Sequence, residues 1–227
     1  MKIHFDASLK KNDQPAGDGP KPAIRREIMI GILAVSGVVL FLAGRWTANI
    51  GQPALVPPVV DNTPRPLGFV KVDEKTSGSW RGVYGAEGMA IANEKAILPA
   101  YAQVRLPGDS SVWLKSVPSD KRALQKSNNP VDRVASSWYS FSGFDIDIAF
   151  SDTRVHQVAL YMVDWDSDTR KQKIQVMDVA TSNVLDDREV STFTGGQYVV
   201  WNLSGHVVIK ITRVAGANAV VSGLFLN

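Results

Sequence analysis

"FDIDIAF", residues 144–150, has the clearest strand pattern in the chain. Its apolar residues Phe144, Ile146, Ile148 and Phe150 alternate with polar or small residues. A period of two residues is typical of a β-strand that buries one of its faces. The stretch therefore predicts a half-buried strand in the C-terminal part of the chain.

Other stretches in the same region share this strand-like character. "HVVIKITRV" (206–214) alternates as well, and "HQVALYMV" (156–163) is apolar on both faces, as a central strand buried on two sides would be. Further strand candidates are "QVRL", "VWLKSV", "KIQVMDV", "QYVVWNL" and "VVSGLFL". No long segment has a period of 3.6 residues. The pattern predicts a mainly β domain, an antiparallel β-sandwich or jelly roll, over residues 72–227.

An apolar run near the N-terminus has the length of a membrane-spanning helix. "IMIGILAVSGVVLFLAG" (28–44) is uncharged and extends roughly 25 Å as a helix, close to the thickness of a bilayer core. Arg25 and Arg26 can reach the lipid headgroups at one end. Arg45 and Trp46 suit the interface at the other end. These four residues are the expected membrane anchors, and the lipid bilayer is an expected partner.

The charges around this run predict its orientation. Several lysines and arginines precede it, whereas after Arg45 there is no basic residue until Arg65. The positive-inside rule then keeps the N-terminus in the cytoplasm and exports the rest of the chain. We expect a cytoplasmic tail (1–25), a transmembrane helix (26–48), a Pro-rich linker (49–71) and a periplasmic β-sandwich (72–227), held at the inner membrane of a bacterium.

Several classes of function are disfavoured by the sequence. The chain has no cysteine, and its net charge of +3 comes without a basic stripe, so neither disulfides nor nucleic-acid binding is expected. His4, His156 and His206 form no metal-binding or catalytic motif. Asp145 and Asp147 share one strand face, whereas glycosidases need two carboxylates across a cleft. We therefore expect no enzyme activity and no cofactor.

A family resemblance covers nearly all of residues 74–227. The blocks that carry it are "GSWRGVYGAEGMAIAN" (78–93), "LPAYAQV" (98–104), "RALQK" (122–126), "GQYVVWNLSGHVVIKITR" (196–213) and "GANAVVSGLFL" (216–226). Together with "HQVALYMVDWDSDTR" they resemble a bacterial extracellular, galactose-binding-like jelly roll, similar to carbohydrate-binding modules beside secreted glycosidases. The resemblance implies a β-sandwich that recognises glycans. It transfers no ligand motif residue by residue.

The polar end of "VALYMVDWDSDTR" (158–170) allows three interpretations, namely a calcium loop, a catalytic carboxylate pair or a turn. The candidate calcium ligands are Asp164, Asp166 and Asp168. Counted from Asp164, the sixth and twelfth positions are Thr169 and Gln175 instead of the Gly and Glu of an EF-hand, which leaves only a structural calcium as a metal alternative. The favoured interpretation is that a strand ends here, the aspartates form a turn and Arg170 pairs with one of them.

Aromatic residues supply the candidates for ligand binding. These candidates are Trp138, Tyr139, Trp113 and Tyr84. Aromatic rings stack on the apolar faces of sugars and are also enriched in protein interfaces. "SSWYS" predicts a strand edge or loop, so Trp138 and Tyr139 are expected to form an exposed pair. Core packing is the alternative for at least half of the aromatic residues.

Two functions follow from these expectations. The first is a non-catalytic accessory subunit whose exported domain docks on a larger membrane-protein complex, for example a photosynthetic or respiratory one. Small residues in the apolar run, such as Gly31 and Gly37, would let its helix pack closely against others. The alternative is a membrane-anchored module that binds carbohydrate, either a glycan or peptidoglycan, through exposed aromatic residues.

Overall fold

A computed structural model describes residues 66–227. All regular elements in this range are β-strands, and every pairing between them is antiparallel. They are β1 (Gly68–Asp73), β2 (Gly88–Ile91), β3 (Ala102–Arg105), β4 (Ser110–Leu114), β5 (Leu124–Gln125), β6 (Arg133–Ser140), β7 (Gly143–Phe150), β8 (His156–Met162), β9 (Lys171–Asp178), β10 (Val184–Ser191), β11 (Gln197–Leu203), β12 (His206–Ala215), β13 (Ala219–Val221) and β14 (Gly223–Leu226). The predicted mainly β, antiparallel architecture is confirmed for these residues.

The N-terminal predictions fall mostly elsewhere in the chain. The tail, the apolar run with Arg25, Arg26, Arg45 and Trp46, and most of the linker lie outside the described residues. Within residues 66–227, no helix has the length and apolar character needed to cross a membrane. The first strand begins at Gly68, inside the range that the sequence assigned to the linker.

The strands form three sheets, which we call A, B and C. Sheet A has the order β1-β11-β8-β14-β2, sheet B has β10-β9-β12-β7-β3, and sheet C has β13-β6-β4 with β5 paired to β6. Sheets A and B face each other across one core, to which sheet A contributes Leu160 and Trp201 and sheet B contributes Ile146, Ile148 and Ile209. The alternation predicted for β7 and β12 is confirmed, because their apolar positions point into this core.

The outer face of sheet A carries a second, smaller core. Tyr161, Tyr198 and Phe225 are buried there beneath Trp80 and Tyr84. As a result β8 is covered on both faces, as its uninterrupted apolar sequence predicts. A strand buried on both sides is the most protected position in a sheet, so β8 is the centre of the fold.

Loops from different strands meet at one end of the sandwich. The Arg122 guanidinium, which precedes β5, donates a hydrogen bond to the carbonyl of Thr194 in the loop after β10 at 3.4 Å. Arg170, at the start of β9, donates to the side chain of Asn218 in the loop after β12 at 2.8 Å. These two hydrogen bonds hold the loops together. The candidate site lies on these loops.

Candidate functional site

Two tryptophans form a stacked pair at this end of the sandwich. Trp113 comes from β4 and Trp165 from the loop after β8. Their ring centroids are 6.5 Å apart and their planes are inclined by only 24°. Both side chains are half-buried, and the indole N–H of Trp113 donates to Asp166 at 3.0 Å. We call Trp113 and Trp165 the indole pair.

Charged groups frame the indole pair. The Arg122 guanidinium lies 4.4 Å from the centroid of the Trp165 ring, within range of a cation–π interaction. Arg122 also forms an ion pair with Asp120, with an N···O distance of 2.8 Å. The hydrogen bonds from Arg122 hold the pKa of the Asp120 carboxyl below its ordinary value, so this carboxylate stays ionised at neutral pH.

A buried arginine supports the loop that carries Trp165. Arg170 is 4% exposed and pairs with Asp164, which is also buried, and with Asp166 at 2.6 Å. Burial alone would raise the pKa of Asp166, but the hydrogen bonds from Arg170 and Trp113 outweigh that effect and lower it. The loop is therefore fixed by ionic hydrogen bonds rather than by apolar packing alone.

The same contacts bear on the three aspartates of this loop. Arg170 pairs with two of them, Asp164 and Asp166, where the turn interpretation expected one. Asp168 lies exposed, apart from this pairing. Among residues 66–227, no group of three or more His, Asp or Glu side chains has the arrangement of a metal site.

Two of the four aromatic candidates, Trp138 and Tyr84, are buried, and for Trp138 this corrects the expected exposure. Trp138 is 6% exposed because its side chain packs into the main hydrophobic core of the sandwich. Tyr84 stacks on Tyr198 at 4.3 Å and donates its hydroxyl to Asp73. These two rings belong to the core, so neither forms an exposed surface for a ligand.

The other two candidates lie nearer the surface, and each contacts a different set of residues. Tyr139 is half-buried and meets Phe141 edge to face, with the ring centroids 5.9 Å apart. Trp113 instead joins Trp165 and Arg122, which the sequence did not single out as ligand-binding residues. The position of Trp165 between Asp164 and Asp166 was the available signal, because that segment was already identified as a loop.

A second polar cluster surrounds the buried His156. The ring lies between Tyr101 and Phe150, with centroid distances of 4.3 and 4.6 Å. Its Nε2 atom lies 2.8 Å from Asp152, and its Nδ1 atom lies 3.6 Å from Glu87. Since both faces of the ring are covered and both nitrogens face carboxylates, this histidine ties strands together and leaves no room for a substrate.

The carboxylates considered for catalysis are not placed across a cleft. The Asp147 carboxylate lies 3.1 Å from the Nε2 atom of His206 and 3.7 Å from the Arg105 guanidinium. Asp145 lies exposed on the same strand. An acid pair for glycoside hydrolysis must enclose the scissile bond from two sides. Asp145 and Asp147 do not have that geometry.

No family model matches the chain, and no curated protein matches it. One solved structure with some similarity is the native family 35 carbohydrate binding module from Clostridium thermocellum, 14% identical over 55% of this chain and 90% of that chain, with a TM-score of 0.32. Another is TmCBM61 in complex with β-1,4-galactotriose, 12% identical over 71% of this chain and 99% of that chain, with a TM-score of 0.31. Likeness at this level carries no argument about function.

Proposed function

We propose that this chain is a non-catalytic carbohydrate-binding module of the galactose-binding-like jelly-roll type, held at a membrane by its N-terminal apolar run. The observation that carries the proposal is the indole pair, two half-exposed, nearly parallel tryptophans with carboxylates and a guanidinium beside them. A pyranose offers an apolar C–H face and a rim of hydroxyls. Indole rings suit the face, and charged side chains suit the rim.

The charges around the indole pair favour an uncharged sugar. Arg122 is paired with Asp120, and Arg170 is paired with Asp164 and Asp166, so both nearby guanidinium groups already have carboxylate partners. A uronic acid or a sulfated sugar would have to compete with those partners. Neutral hydroxyls can instead donate to Asp166 and accept from Arg122 without displacing either ion pair.

Binding of neutral oligosaccharides to the full-length chain tests the proposal. Detergent-solubilised protein is titrated with β-1,4-galactotriose first, and then with other neutral oligosaccharides and with uronate and sulfated ones. A neutral ligand should bind, and Trp165→Ala should weaken it at least about tenfold, a loss of about 1.4 kcal/mol. Phe141→Ala is the control, because Phe141 is 71% exposed but lacks the polar frame. Binding that survives Trp165→Ala unchanged would refute the assignment of the site.

The membrane anchor and its orientation are part of this proposal. The uncharged run at 28–44 and the excess of basic residues before it support a single crossing with the sandwich outside the cytoplasm. Because the chain has no cysteine, single introduced thiols report topology without background. In spheroplasts, a membrane-impermeant maleimide should label Val131→Cys and spare Ser8→Cys. The reverse labelling would invert the topology.

A subunit role in a larger membrane assembly is the second candidate function. The observation that favours it is the exposure of Phe141, in the connection between β6 and β7, and of Val214, each next in sequence to a residue of the hydrogen bond from the Arg213 amide to the Ser142 carbonyl. Exposed apolar side chains rimmed by polar ones are typical of protein-docking surfaces. Native mass spectrometry of solubilised membranes distinguishes the candidates, since a subunit keeps its partner and a glycan binder does not require one.

A further inference from the structure

The first strand, β1, forms an open edge of sheet A. Within the described part of the chain, β1 pairs with β11 on one side and ends the sheet on the other. An open edge presents unpaired backbone N–H and C=O groups, which are a template for one more strand. The edge of β1 is therefore a place where another chain can extend the sheet.

Apolar side chains are concentrated at this edge. Twelve large hydrophobic residues are exposed among residues 66–227, and four of them belong to β1 or adjoin it: Leu67, Phe69, Val70 and Val72. The neighbouring edge strand β10 carries four successive charges at 186–189, the pattern that protects an edge from pairing. Between Gly68 and Val72, the only charged residue of β1 is Lys71. Of these two edges, β1 is the one that is left open to a partner.

We propose that β1 pairs antiparallel with β1 of a second copy of this chain, with Val72 on the two-fold axis. In this register Lys71 of each copy lies opposite Asp73 of the other, so two pairs of opposite charge form. Centring the pair on Lys71 or on Asp73 would oppose like charges. Centring it on Val70 would place the axis on the β-bulge between Phe69 and Lys71. Charge complementarity and the bulge together select Val72.

The surface beside β1 leaves room for the second strand. An open groove of about 650 Å³ runs along residues 71–76 and reaches Val83. It carries charges of both signs, with Lys71 and Lys75 against Asp73 and Glu74. Mixed charge suits a copy of the same strand, whereas an anionic lipid surface would favour lysines and arginines alone. A two-fold interface of this kind uses the same patch on both subunits.

Such a contact is expected to be weak in dilute solution. One pair of short strands buries less area than a standard protein interface, which places it among transient contacts. Confinement of both copies to one membrane would raise their effective concentration. The proposal concerns a different surface from the indole pair and does not rest on glycan binding.

Cysteine cross-linking of the full-length chain in its membrane tests this pairing. The natural chain contains no cysteine, so any disulfide-linked dimer comes from the introduced thiols. Directly opposed residues in an antiparallel pair bring their Cβ atoms to about 4.5–5.5 Å, within reach of a short thiol cross-linker or a disulfide. Val72→Cys should cross-link. Val131→Cys, whose valine is 76% exposed against 42% for Val72, should not.

A charge reversal in the same background makes the test specific. Adding Lys71→Glu to Val72→Cys places like charges opposite each other twice, and the dimer yield should fall at least about threefold. Lys115→Glu, an exposed lysine away from β1, should leave the yield unchanged. Equal yields from the thiols at positions 72 and 131, or cross-links from position 72 only to another protein, would overturn the proposal. Sugar binding by the same samples is an independent result.

Discussion

Replacing the buried Arg170 with methionine should destabilise the domain strongly. Arg170 is 4% exposed, and its partner Asp164 is 2% exposed. In Arg170→Met, Asp164 keeps the hydroxyl of Ser167 and the backbone amide of residue 170, but it loses its countercharge. Removing one partner of a buried ion pair costs about 3–5 kcal/mol, and the lost hydrogen bond to Asn218 adds about 1 kcal/mol.

This loss is a large share of the stability of an ordinary domain. With a total loss of about 5 kcal/mol and a slope of about 2 kcal/mol per molar urea, the unfolding midpoint should fall by about 2.5 M urea. Tryptophan fluorescence during urea unfolding measures this shift. The double variant Asp164→Leu with Arg170→Met should recover most of the loss, because no buried charge is then left unpaired.

The control for this prediction is an exposed ion pair. Arg154→Met breaks the exposed pair with Asp152 and should leave the urea midpoint unchanged within error. If Arg170→Met changes the midpoint no more than Arg154→Met does, then the ion pair at Asp164 does not support the loop as argued. The account of how Trp165 is held in place would then be wrong.

Further predictions concern other parts of the sandwich. Gly196→Ala should cost about 1–3 kcal/mol more than Gly205→Ala in urea unfolding. Both glycines have a positive φ, but only at position 196 would an added Cβ clash, because it would lie 1.7 Å from the Tyr161 hydroxyl. Burial would raise the pKa of Asp73, but hydrogen bonds from neighbouring groups lower it to about 2. This carboxylate therefore stabilises the fold above about pH 4. Its contribution is about 1 kcal/mol after solvent screening and should be lost between about pH 4 and 2 in the natural chain. Asp73→Asn should show no such loss. Gln172→Leu should cost about 2 kcal/mol in thermal unfolding, because Gln172 is the side-chain partner of the buried Val220 backbone.

The fold was predictable where burial follows the local sequence pattern. The alternation in 144–150 and 206–214 set the buried faces of β7 and β12, and the uniformly apolar 156–163 indicated the central strand β8. The start of the domain was less predictable. The strand at Gly68 follows a Pro-rich stretch, and its pairing with β11 depends on residues far along the chain.

The site was predictable only in part, because its members come together through long-range contacts. In sequence, 53 positions separate Trp113 from Asp166, so nothing local indicates that they meet. The exposure predicted for Trp138 was wrong because its local sequence was misleading. The serines around it are typical of a loop, yet Ser136 is buried and donates its hydroxyl to the carbonyl of Ala92 at 2.5 Å. A buried serine with a backbone partner looks the same in sequence as an exposed one.

The most direct test of the proposed recognition site is the set of indole N–H signals in an NMR titration with neutral oligosaccharides. The chain has six tryptophans, and each gives one such signal. We predict that the ligand shifts the signals of Trp113 and Trp165 and leaves those of Trp80 and Trp201 in place, since both of these are buried and hydrogen-bonded within the protein. Shifts confined to other tryptophans, or no shift with any neutral glycan, would contradict the account.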